Sequence, residues 1–300
     1  MRSYLRIQSP WAQLGLFFGL LIVALVLTSF IGAIILLAKG LTVTDIKSLN
    51  FNDPRTVDIL KLIQSVSTIT MFFLPAAFFA FISFRNKPFY FLGFHKPSKN
   101  NFYIIAVLIM IVSFPFAGWL GILNQHIPLA RWMIDMEKDA GKQMTAFLKL
   151  RSNTDLYINL FIVALLPAIC EEVCFRGALQ RIMIDIFRRP WIGIIATAIF
   201  FSAFHMQFEG FLPRMFLGIL LGSLFWYSGS LWPNIVAHFF YNGIQVIIVL
   251  YYPKFVDENP SVPIYLAAIS GLLVWGLIIF MRKQSTATFS NVYEMEEVTI

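Results

Sequence analysis

Apolar stretches separated by short charged connections run through most of the chain, at Trp11 to Ala38, Leu62 to Phe84, Phe102 to Leu123, Leu156 to about Ile186, Trp191 to His205, Phe211 to Tyr227, Leu231 to Tyr252 and Pro263 to Met281. A bilayer core of about 30 Å takes about 20 helical residues, so the first, second, third, seventh and eighth runs are long enough to span it unaided. The fifth has only 15 residues before Met206 and is expected to reach further only by extending through Gln207 and Glu209. The fourth spans only if the adjacent pair Glu171 and Glu172 lies within it. Pro75, Pro115 and Pro167 fall inside runs, where a kink is tolerated if neighbouring helices satisfy the freed carbonyls. The pattern therefore predicts an all-α, polytopic helical membrane protein with about eight transmembrane helices. Residues 1–284 form one membrane domain, and 285–300 read as a disordered cytosolic tail. The long polar connection Asn124 to Asp155 reads as an external loop with an interfacial helix around the amphipathic patch Met144 to Leu150. No internal repeat is visible.

Composition agrees with a lipid environment: 58% of the 300 residues are hydrophobic, 13% are charged and 32 are phenylalanine. The first run is too long for the apolar core of a signal peptide and is expected to remain as an anchor. A net charge of +7 raises the question of a nucleic-acid partner, but the basic residues sit in short connections beside apolar runs, not on an aromatic-interleaved face. Topology explains them instead. With eight spans, both termini share a side, which holds twelve basic residues (Arg2, Arg6 and Arg85 among them) against four acids outside the motif; the other side holds eleven against ten, from Asp45 through Glu258. The positive-inside rule then orients the chain N-in and C-in. With no organelle signal in view, a bacterial inner membrane is the expected location. Cys170 and Cys174 are the only cysteines and lie in one apolar segment, which excludes a disulfide framework and makes them apolar filler.

Ionisable groups at membrane depth are costly, so a cluster of them is a functional hypothesis by default. In Glu171 to Arg176, the sequence EEVCFR, Glu172 and Arg176 stand four apart and pair on one helical face, whereas Glu171 points about 100° away. One carboxylate is paired and the other left available to take a proton from water. Phe201 and His205 are again four apart, so the ring walls one side of the imidazole. His238 and Asn242 repeat the spacing and offer an imidazole and a carboxamide as donors, the equipment of an oxyanion hole. The alternatives are a buried ion-pair network for Glu172 with Arg176, and satisfied core histidines. A charged cluster at this depth is expected to lie in a water-filled cavity, here one open toward the cytosol.

The ordered set EExxxR (Glu171, Glu172, Arg176), FxxxH (Phe201, His205) and HxxxN (His238, Asn242) resembles the signature of the CAAX protease and bacteriocin-processing (CPBP, Abi) intramembrane endopeptidases, over about residues 155–250. The resemblance implies that Glu171 and His205 activate the hydrolytic water, that His238 and Asn242 stabilise the oxyanion, and that Glu172 and Arg176, with Phe201, support them. It implies a membrane-associated peptide or protein substrate, either CAAX-like and prenylated or of bacteriocin type. The family has also been described as metalloproteases, with Glu171, His205 and His238 the candidate zinc ligands here. The spacing HExxH is absent and Asn242 is a poor zinc ligand, so no obligatory cofactor is expected. Two rivals from other classes are a proton-coupled transporter using the glutamates and histidines as a relay, and a catalytically silent membrane scaffold.

Overall fold

The computed structural model describes residues 9–41, 50–84, 87–252 and 261–294. The loop and terminal charges Arg2, Arg6, Asp45, Arg85, Glu258, Glu296 and Glu297 of the orientation count lie outside the described residues. Among the described residues there are no strands, and seven helices are long and apolar enough to cross a membrane. These are α1 (Pro10–Ala38), α2 (Pro54–Ser83), α3 (Asn101–Gln125), α5 (Thr154–Phe187), α7 (Phe211–Ser228), α8 (Leu231–Tyr251) and α9 (Ile264–Gln284). The shorter apolar helix α6 (Pro190–Phe204) and the polar-faced α4 (Arg131–Leu148) lie among them, with a single helical turn at Pro88–Phe91 before α3. The polytopic helical reading holds, with the fifth run as the short member.

Capping chemistry explains where the helices begin. Asp53 accepts hydrogen bonds from the amides of Arg55 and Thr56 at 3.3 and 3.0 Å, ahead of Pro54 at the first helical position, so α2 starts eight residues before the apolar run at Leu62. Its first two turns are polar and invisible to a hydropathy reading. α6 does not extend through Gln207 and Glu209: it stops at Phe204, because Met206 takes a left-handed φ of 53° that turns the chain sharply.

Each in-run proline is accommodated differently. Pro75 and Pro167 have no N–H to give the carbonyls of Met71 and Val163, and both carbonyls lie in short π-helical segments, Ile69–Phe73 and Leu160–Leu165, where the ladder is already widened. At Pro115 a neighbour intervenes. The Ser270 hydroxyl from α9 donates to the Val112 carbonyl at 2.5 Å and accepts from the Phe116 amide at 3.2 Å, so a neighbouring helix supplies polar contacts beside the proline.

One end of the bundle gathers the segments around residues 87–100, 188–189, 229–230 and 285–294. Lys99 donates to Gln284 at 2.9 Å, and the Tyr293 hydroxyl to the Arg181 carbonyl at 2.9 Å. Residues 285–294, the start of the expected tail, thus fold back onto α5, with a helical turn at Ser290–Glu294 and the Phe289 ring under the Arg188 guanidinium; residues 295–300 lie outside the described residues. The opposite end carries α4 and the loop 205–210. α4 is longer than the patch Met144 to Leu150, and it buries Phe147 and Leu148 near its C-terminal end.

Helices α5 and α6 pack through a glycine. A Cβ added at Gly193 would lie 2.6 Å from the Ile184 amide nitrogen and 2.7 Å from its Cα. Backbone atoms cannot rotate aside, so Gly193→Ala is expected to cost about 1–3 kcal/mol by overpacking. Thermal unfolding in detergent checks this, with Gly15→Ala, where nothing lies within 4 Å, as the silent control.

Candidate active site

α5 runs unbroken past the glutamates and presents them to different partners. Glu172 is fully buried and accepts from Arg176 Nη1 at 2.6 Å, as the spacing predicts. It also accepts from Asn234 Nδ2 at 3.1 Å and lies 2.8 Å from His238 Nδ1. After Glu172 the helix widens into the π-helical segment Val173–Gln180, a feature often found at functional sites. From it, Arg176 and Gln180 reach the α7 carbonyls of Gly218 and Gly222 at 3.3 and 3.0 Å. Arg176, one of the twelve basic residues assigned to the cytosolic side, is therefore an interior residue, bonded across to α7 at Gly218.

Phe201 connects the three motifs physically. Its ring meets the His205 ring edge-on at 5.0 Å and the His238 ring at 6.1 Å, and it carries the Arg176 guanidinium 4.5 Å from its centroid. The Phe201 backbone carbonyl lies 2.8 Å from His205 Nδ1.

These contacts determine the tautomers. A carbonyl accepts only, so His205 carries its proton on Nδ1; an ionised Glu172 accepts only, so His238 does the same. In their neutral forms both rings then present a bare Nε2. Both Nε2 atoms face Glu171 Oε2, at 3.9 Å for His205 and 3.8 Å for His238. That oxygen is buried and has no hydrogen-bond partner. The separations are too long for direct bonds and leave Oε2 to be satisfied by water. Among the described residues no group of three or more His, Cys, Asp or Glu is placed to hold a metal ion, Glu171, His205 and His238 included.

Unequal helix starts bring these groups together. At about 1.5 Å per residue, Glu171 lies about 24 Å from the Phe187 end of α5 and His205 about 22 Å from the start of α6, yet His238 is only about 10 Å into α8. The turn before α8 is itself sunk in the bundle. Ser228, Ser230 and Leu231 are at most 1% exposed, and segment 93–98 covers them through Leu231 N to Gly93 O at 2.9 Å and Ser98 N to Ser228 O at 3.0 Å. α8 therefore starts deep enough for His238 to meet Glu171.

Asn242 stands one turn beyond His238, half-buried and without a hydrogen bond to another described residue. Asn234, one turn before His238, was missed by the motif reading. It is fully buried and donates to Glu172 and to the Leu221 carbonyl at 2.6 Å. Its four-residue step from His238 was the available signal. His205 lies at the bundle end that holds α4. In an N-in orientation this end faces away from the cytosol, so a cytosolic approach past His205 requires the opposite orientation. No curated protein and no solved structure matches the chain. Residues 153–244 match the family model of the type II CAAX prenyl endopeptidase Rce1-like, and it is to this family of proteases that the part of the chain carrying all three motifs is similar.

Proposed function

We propose that the protein is an intramembrane endopeptidase in which Glu171 and His205 activate a water for attack on a peptide carbonyl. The observation that carries this reading is the buried, unpartnered Glu171 Oε2 with two oriented imidazole nitrogens 3.8 and 3.9 Å away. The water oxygen bonds to the carbonyl carbon as its proton passes to Glu171. The carbonyl electrons move to oxygen, where His238 Nε2, in its doubly protonated form, and Asn242 Nδ2 donate to the oxyanion. Collapse of the intermediate breaks the C–N bond, and the leaving nitrogen takes the proton from Glu171. Glu172, 2.8 Å from His238 Nδ1, orients the ring and as an anion supports the doubly protonated form that this step needs, in the way a buried carboxylate serves a triad histidine.

The family match supports a membrane-associated peptide as substrate, and a prenylated peptide ending in a CAAX-type sequence is the first to test. The purified protein in detergent is expected to cleave such a reporter and to continue doing so after exhaustive chelation. Loss of cleavage on chelation, restored by zinc but not by calcium, would replace metal-free water activation by Glu171 and His205 with a metal centre. No cleavage of any peptide, together with proton flux in reconstituted vesicles, would favour the relay.

A further inference from the structure

His205 is the residue that ends α6, so no later helical hydrogen bond fixes it, and its side chain is 27% exposed. Its ring is held from within α6 by the Phe201 carbonyl, and the chain that leaves it, the loop 205–210, is stitched down from three other helices. From α3, Asn124, only 1% exposed, donates through Nδ2 to the Phe208 carbonyl at 2.7 Å and accepts at Oδ1 from the Leu212 amide at 2.7 Å. From α4, Glu137 Oε1 accepts from the Glu209 amide at 2.7 Å, and the Trp132 ring meets Phe208 edge-on at 5.3 Å. From α7, Arg214 donates to the Gln207 carbonyl and, at 3.0 Å, to its side-chain oxygen. The left-handed φ of 53° at Met206, costly for a residue with a side chain, is held in place by this surround. Burial pushes the Glu137 carboxyl upward, while the Glu209 amide and the Arg214 guanidinium pull it back.

We propose that Asn124 and Glu137 are positioning residues for His205: they hold loop 205–210 so that His205 Nε2 keeps facing Glu171. This makes the otherwise exposed helix α4 part of the catalytic apparatus. The proposal rests on the endopeptidase reading and deepens it. A displacement of about 1 Å at a reacting group costs up to about 10²-fold in rate, so holding the loop has a kinetic value separate from folding.

The test uses the full chain in detergent, with kcat and KM expressed per folded, monodisperse molecule. N124A and E137A are expected to lower kcat about tenfold or more, with KM within about twofold, whereas E137Q, which keeps an acceptor for the Glu209 amide, stays near the parent. In an H205A background, where the positioned group is gone, E137A is expected to cause no further loss. A second readout is independent of turnover: carbethoxylation of His205, followed by mass spectrometry, is expected to speed up several-fold in N124A and E137A but not in E137Q. Unchanged kcat and unchanged His205 reactivity in both alanine variants would overturn the proposal, as would an equal loss from E137A with and without His205. Failure of the endopeptidase reading has a different signature, full activity in H205A or no cleavage by the parent, and the modification rates then still decide whether the loop is held.

Discussion

Glu171→Gln is expected to lower peptide turnover by about 10²- to 10⁴-fold, the range in which a positioned general base contributes, while leaving the folded protein intact. Stability and activity separate at this residue because Glu171 Oε2 makes no hydrogen bond whose loss would unfold anything. The amide is nearly the same size and still fills the space beside His205 and His238, but it cannot take a proton from water. The measurement is kcat on a membrane-peptide reporter, with the thermal midpoint of the same preparation as its control. Turnover near that of the parent would remove Glu171 from the mechanism, since no other carboxylate lies within 4 Å of both histidines among the described residues.

Arg176→Ala is expected to act in the opposite sense, on stability first. It strips the guanidinium from Glu172, which is 0% exposed, and leaves a buried carboxylate without its cation, a change that costs about 3–5 kcal/mol. The bond to the Gly218 carbonyl and the stack on Phe201 are lost with it. Chemical unfolding in detergent reads the loss. A paired substitution, Glu172→Gln with Arg176→Met, removes both charges and is expected to recover most of the stability, because a buried ion pair replaced by neutral groups of similar volume is often close to neutral in free energy. Activity is not expected to return with it. His238 Nδ1, 2.8 Å from Glu172 Oε1, then lacks an anionic acceptor, so its doubly protonated form is no longer supported and kcat stays down by about 10²-fold or more. Parental turnover in the stable double variant would show that Glu172 has no orienting role.

Much of this architecture was legible before any coordinates. Hydropathy located all eight apolar helices to within a few residues at most ends, because lipid demands one continuous apolar stretch per span. The misses fall where polar atoms decide. The Asp53 and Pro54 cap started α2 eight residues before its apolar run, and the left-handed Met206 stopped α6 before Gln207. Spacing of four also announced the Glu172–Arg176 pair and the Phe201–His205 contact, since both lie within single helices, where position in the chain dictates position in space.

What joins different helices was not legible. That His238 hydrogen-bonds Glu172 and not Glu171, that Asn234 shares the same carboxylate, and that Asn124 and Glu137 hold the loop after His205 depend on the depth at which each helix begins and on which face meets which neighbour. By itself the sequence determined a helical membrane protein and the residue types of its site, because the bilayer and the helical repeat act locally. Only the tertiary structure decided which nitrogen faces which oxygen, because the sunken turn at 229–230 and the widened helix after Glu172 are set by packing between segments far apart in the chain.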